Sequence, residues 1–390
     1  MNQFDPAAAT AAYLAQMSPA AQARATAYTQ GGHWLLLWGW LVSVLAAWLV
    51  IRSGLLTRVE ATIARKKRRL VLTSFVVALL FLLLDWVIEL PWDVYAHWWR
   101  ERSYGLTSQP LSGYLIQQTV SNIIGSIILA IFLIALYALM RRAPGKWWVW
   151  GGGIAVLLFA FIIVIVPTFL EPMFNTFSPA PVGPIRNAVV ALAERTGTPA
   201  DKIYIYDGSR QSNRYTAHVT GIFGIARIEM SNVMFQKGAD VAEVRAVLAH
   251  EMGHYVHDHL ILVSLAFGML TMAGLWLSHL SFVPAARVLG SNVVSIADPA
   301  GVPVLFAIFV TLALLATPIT NTISRSIEAN ADAFSMENAN EPDGMARALV
   351  KSAEYRAASP GALEEFLFYD HPSVRRRVRA AMDWKAKHLK

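Results

Sequence analysis

Six stretches of this chain are long and apolar enough to cross the roughly 30 Å hydrocarbon core of a bilayer as helices. They run approximately over His33–Ile51, Leu70–Leu90, Leu115–Met140, Trp147–Leu170, Leu260–Val283 and Val302–Ile319. Backbone groups inside hydrocarbon must bond within their own segment, so this pattern confines the chain to a helical bundle. Composition agrees: 55% of the 390 residues are hydrophobic and only 15% charged, against about a quarter charged in an average soluble domain. Trp34, Trp38, Trp147, Trp148 and Trp150 lie near span ends, where amphipathic rings favour the interface. The expected fold is a mainly α-helical multi-spanning membrane protein carrying a small α+β domain.

The net charge of +7 includes clusters beside spans, such as Arg65–Arg69. Loop positives there need no nucleic-acid partner, and none is expected. The absence of cysteine excludes a disulfide framework, thiolate metal ligands and a Cys nucleophile. The first thirty residues lack a basic segment followed by an apolar core, so they are expected to form an Ala-rich surface helix rather than a cleaved signal. The expected organisation is a polar segment over 1–32, four spans within 33–170, a polar part over 171–258, two spans within 259–320 and a C-terminal polar part over 321–390. An even number of spans separates the two large polar parts, so they lie on one side of the membrane and can build one domain.

The string "AHEMGHYVHDH" (Ala249–His259) ends a helical pattern that Asp240 can cap. Residues four apart share a helix face, so His250 and His254 can present imidazoles to one ion. Glu251, one step round, is placed to face water rather than the metal. Zinc takes a near-tetrahedral shell with one open position, so a third ligand must come from elsewhere. The spacing with Gly at 257 and His at 260 is excluded, because the chain has His257 and Leu260 there. His257 also faces away from the histidine pair. The better candidate is Glu328 in "SRSIEANADAFSM", just after the last span, with Asp332 one turn on to fix a histidine tautomer. A solvated helix face is the alternative reading of that pair.

These segments together resemble the integral-membrane zinc metallopeptidases of the CAAX prenyl protease 1 type, over about Leu70 to Val378. "LPWDVYAHWWRERSYGLTSQ" and "PTFLEPMFNTFSP" resemble two of the family's segments, and "AHEMGHYVHDH", "SRSIEANADAFSM" and "DHPSVRRRV" resemble its three site segments. The resemblance implies a gluzincin-like domain with one zinc ion held by His250, His254 and Glu328. It implies Glu251 as general base, Asp332 behind a ligand, His371 on the oxyanion, and Arg377 supporting Glu328 or the substrate. His259 matches a family histidine without an assigned role. Substrate is expected antiparallel along an edge strand, either Ala226–Asn232 or the segment before it, with Thr216, Ala217, Ala226 and Ile228 as candidate contacts. Where relatives commonly carry Asn-Ala, this chain has Thr216-Ala217.

The implied activity is peptide-bond hydrolysis, as in endopeptidases that remove a C-terminal tripeptide from prenylated proteins. The short form suggests a bacterial inner-membrane relative rather than an ER enzyme, which makes membrane-protein quality control an alternative role. Peptide or lipidated peptide and membrane lipid are the expected partners. A transporter or scaffold with a structural zinc is the reading from another class, and an unligated Glu251 beside the metal speaks against it. The basic loop Arg52–Arg69 favours a catalytic domain outside the cytoplasm, whereas the resemblance implies the cytoplasmic face, the side expected here. Asp85, Glu89 and Asn122 lie inside spans, where they either pair near the interface or line a wet chamber for substrate.

Overall fold

The computed structural model describes residues 4–65, 69–222 and 225–388, so part of the basic cluster at Arg65–Arg69 lies outside the described residues. Four membrane-length helices lead the chain: α1 (Pro19–Ser53), α2 (Leu70–Asp93), α3 (Leu111–Arg142) and α4 (Trp147–Ile165). The polar region then gives α5 (Pro184–Thr196) and α6 (Val241–Val256) around a small sheet. Two more long helices follow, α7 (His259–Val288) and α8 (Val302–Ala339), then α9 (Pro342–Ser352) and α10 (Val374–His388). Among the described residues six helices are long and apolar enough to cross a membrane. Each contains one of the stretches singled out in the sequence.

The helices overrun those stretches at both ends of the bundle. Ser18 caps α1 through its hydroxyl, and Pro19 opens it, so the Ala-rich segment from 19 to 32 is the first turns of the first span rather than a separate surface helix. A short helix, Pro6–Leu14, precedes it and packs on α10. At the other end α8 continues past Ile319 to Ala339 without a break, which carries Glu328 and Asp332 out of the bilayer on the last span itself. Pro91 precedes the π-turn Val94–Trp99 and Pro167 lies within the π-turn Val166–Leu170, each removing an amide donor from its helix.

Lipid-facing side chains such as Leu157 and Leu315, both 69% exposed, lie outside a bundle core built on Phe81, Tyr137, Trp147 and Phe282. α4 and α7 meet closely because Gly152 lies under Met272 and Gly268 under Val156. A Cβ at either would come within 2.5 Å of a side-chain carbon.

The sheet has the order β1-β2-β4-β3: β1 (Phe177–Pro179), β2 (Ile203–Tyr206), β3 (Ala217–Ile222) and β4 (Ile225–Ser231). β2 runs parallel to β4, and β3 antiparallel to β4. The strand containing Ala226 and Ile228 is therefore interior, paired on both sides, and cannot take on a substrate strand. The edges are β1 and β3, and β3 is the segment just before the interior strand β4. The sheet packs on α5 and α6 through Leu192, Ile228, Met230, Leu248 and Met252.

One contact fixes α6 from behind. A Cβ on Gly344 of α9 would lie 2.5 Å from the Ala242 carbonyl oxygen, backbone that has nowhere to go. Gly344→Ala is expected to lower stability by about 2 kcal/mol, the cost of overpacking a rigid contact. A denaturation midpoint in detergent indistinguishable from the parent's would contradict that close approach.

Candidate active site

α6 starts where Asp240 accepts the Glu243 amide at 2.8 Å, and its last two turns carry the His-Glu-x-x-His string. α8 lies across it, with Phe334 seated against Gly253. This crossing brings together residues almost eighty positions apart. His250 Nε2 is 3.2 Å from Glu328 Oε2, and His254 Nε2 is 3.6 Å from Glu328 Oε1. One donor atom from each of the three lies within 4.8 Å of the others.

The partners behind the imidazoles fix where their protons sit. Arg377 donates to both oxygens of Asp332, at 2.7 and 2.6 Å. Asp332 Oδ1 in turn lies 2.9 Å from His250 Nδ1, so that nitrogen carries the hydrogen and Nε2 the lone pair. Behind His254 the relay is different. His259 Nε2 donates to Asn330 Oδ1 at 3.2 Å, which leaves His259 Nδ1 to accept from His254 Nδ1 at 3.0 Å. Both Nε2 lone pairs then face each other across 3.2 Å, beside a carboxylate whose buried Oε2 has no well-directed hydrogen bond among the described residues. Four electron-rich atoms converge, and only a cation or a proton reconciles them. Two imidazoles and a carboxylate are also the donor types that zinc takes in sites with an open position.

Electrostatics point the same way. Burial opposes charge on His250, but its bonds to Asp332 and Glu328 outweigh that and raise it to about 10. Burial and the neighbouring His250 push His254 down to about 4. One proton thus serves the pair, and a metal ion must displace it. At pH 7, titrating zinc into the metal-depleted protein is expected to release about one proton from His250. Affinity should rise with pH until His250 titrates. Calorimetry in buffers of different ionisation heat reads this directly, and a heat independent of buffer would refute it.

The remaining expected residues divide into two groups. Glu251 lines a cleft of about 180 Å³ with His250, Thr216, Ala217, His371 and Arg377, and burial raises its carboxyl above the usual range. His371 Nε2 lies 3.2 Å from Glu328 Oε2, while its Nδ1 is held by Asp370 at 2.9 Å. Arg377 gives its side-chain hydrogen bonds to Asp332, while its charge also acts on Glu328 and it lines the cleft. Ala226 and Ile228 are buried within the sheet and do not reach the cleft. His257 is exposed, its ring against Phe334. Sequence reading missed Asn330 and Asp370, and left His259 without a role. Asn330 lies two residues after Glu328 and Asp370 just before His371, but polar residues at such offsets carry no signal until the helices are placed.

A second group, Glu171, His218 and Glu229, also has close donor atoms. Burial opposes charge on His218, yet Glu171 and Glu229 raise it to about 10, and Arg227 pairs with Glu229 at 2.5 Å. Two cations and two carboxylates neutralise one another there, so the group works as an ion-pair clasp between the end of the fourth span and β3.

Known proteins resemble the chain along nearly its whole length. The family model described as peptidase family M48 matches residues 179–385, more than half the chain. This chain belongs to peptidase family M48. A second model, described as CAAX prenyl protease N-terminal with five membrane helices, matches residues 6–176 of this M48 peptidase. That interval holds four of the six membrane-length helices found among the described residues. The CAAX prenyl protease 1 type expected from the sequence is thus the one found. The uncharacterized metalloprotease YhfN of Bacillus subtilis is 26% identical over 317 residues, covering 79% of this chain and 71% of that protein. CAAX prenyl protease 1 of Saccharomyces cerevisiae is 29% identical over 235 residues, 58% of this chain and 47% of the yeast protein. The crystal structure of S. mikatae Ste24p shares the fold, with a TM-score of 0.75 at 22% identity, covering 95% of this chain and 90% of that one. The M48 peptidase is accordingly a multi-pass membrane metallopeptidase.

Proposed function

We propose that this M48 peptidase uses one zinc ion, held by His250, His254 and Glu328, to hydrolyse peptides delivered from the membrane. The convergence of three donor atoms within 4.8 Å beside an unligated Glu251 carries the reading. When bound, zinc polarises water and the scissile carbonyl and holds the developing negative charge. Glu251 takes the proton from the attacking water and passes it to the leaving amine, a task suited to a carboxyl raised by burial. His371, fixed by Asp370, donates to the tetrahedral oxyanion. Asp332 and Arg377 act behind His250, holding its tautomer and ring plane.

The substrate lies antiparallel on β3, the edge strand whose opening residues, Thr216 and Ala217, line the cleft. Lipidated peptides are the substrate class, because α6, which carries His250 and His254, passes into the membrane helix α7 within two residues. The S. cerevisiae relative, named CAAX prenyl protease 1, supports a prenylated C-terminus. The catalytic side faces the cytoplasm.

Purified protein is expected to contain zinc and to cleave a prenylated peptide in a chelator-sensitive manner. Cleavage of unprenylated membrane peptides at equal rates would move the role to general membrane-protein turnover. Zinc without cleavage of any peptide in the panel would refute the peptidase reading for this chain.

A further inference from the structure

Between α2, α3 and α4 the bundle leaves a cavity of about 530 Å³, away from the metal-ligand cluster. Asp85, Glu89 and Asp93 line it, each one turn above the last on α2, so one helix face presents three carboxyls. Asp93 is satisfied: it accepts the Tyr114 hydroxyl at 2.6 Å. The two deeper ones differ. Asp85 is only 6% exposed, and Asp85 Oδ1 and Glu89 Oε1 are buried with no hydrogen-bond partner among the described residues. Opposite them, Asn122 spends its amide donor on the Gln118 carbonyl at 2.9 Å, leaving its oxygen as its free group. Of the buried wall atoms without a partner among the described residues, the two carboxyl oxygens outnumber the one donor, the Trp86 indole N–H. Carboxyls in a bilayer are expensive, and unpartnered ones more so.

The walls beyond are apolar, formed by Leu129, Phe161 and Ile165 among others. The space far exceeds a bare ion, and the close three-ligand groups found among the described residues lie elsewhere. A ligand that fits carries N–H donors and a positive charge on an apolar body. The cavity wall also leads to the proposed substrate edge: Leu170 lines it, and the next residue, Glu171, pairs with His218 of β3 at 3.5 Å. We propose that Asp85 and Glu89 form a subsite for a basic side chain, lysine or arginine, of a peptide extending from β3 into the membrane cavity. This rests on the peptidase reading for the peptide and adds a charge preference to it.

The test measures binding, so that it stands apart from turnover. Full-length, zinc-loaded Glu251→Gln protein in detergent is titrated with fluorescent apolar nonapeptides carrying one lysine, walked along the sequence. Each is compared with its norleucine and acetyl-lysine counterparts. At one stretch of positions lysine is expected to bind about tenfold more tightly than either neutral analogue. Asp85→Asn with Glu89→Gln should reduce that preference to about twofold or less. Equal affinities for lysine and the neutral analogues at every position would overturn the subsite, and that comparison needs no variant in the cavity. A lysine preference unchanged in the double variant would overturn it as well. Parent protein that cleaves peptides yet shows no lysine preference defeats the subsite alone, whereas lysine preference without any cleavage defeats the peptidase reading alone.

Discussion

Glu251→Gln is expected to keep the parent's zinc content while turnover falls by about a thousandfold, within the range for loss of a positioned base. Glutamine has the same shape and fills the same place in the cleft, so the imidazoles, Glu328 and their supports stay where they are. What vanishes is the group that accepts the proton when water attacks. The metal content separates this outcome from collapse of the site, because a misfolded α6 would lose zinc and turnover together. Turnover within tenfold of the parent, at equal zinc, would remove Glu251 from the mechanism.

The second large effect concerns folding rather than turnover. Arg377→Met should lower stability by about 3 to 5 kcal/mol, the range for breaking an enclosed ion pair from one side. The Arg377 and Asp332 side chains are 11% and 14% exposed, so water cannot replace the two lost hydrogen bonds well. The stranded Asp332 charge accounts for most of the cost. Adding Asp332→Asn to Arg377→Met should therefore recover part of the stability, although each removes a polar partner of the same network. Zinc affinity should not recover, since His250 Nδ1 then lacks its carboxylate. Chemical denaturation in one detergent, paired with zinc titration, resolves the two. A single variant within about 1 kcal/mol of the parent would show that the pair contributes little.

Much of the site was legible because its ligands sit on helices, where a spacing of four implies a shared face. His250 with His254, and Glu328 with Asp332, follow from that rule. The order of elements also let the two polar parts meet on one side. Two strands, in "KIYIYDG" and "GIARIEMSN", are legible, but the edge is not: "TAHVTGI" holds a glycine, a histidine and two threonines, and nothing in it says edge. "IARIEMS" looked equally available until its pairing on both sides was known. Helix ends lie beyond the apolar stretches for a related reason. Hydropathy ends at the lipid boundary, whereas helix propensity does not, and the alanines before His33 and after Asn321 extend the same rods. The roles of His259, Asn330 and Asp370 depend on the crossing of α6 with α8 and on the loop before α10, which no local pattern encodes.

The 38 residues of α8 make a rod about 57 Å long at 1.5 Å per residue, nearly twice the oily layer it crosses. Glu328 is bolted to the half that protrudes, while His250 and His254 belong to a different helix. Lipids with longer or shorter tails change the preferred lean of such a rod, and the seating of Phe334 on Gly253 couples that lean to the helix holding the other two ligands. For this chain the thickness of the surrounding membrane therefore bears on the helix that carries one of the three ligand residues.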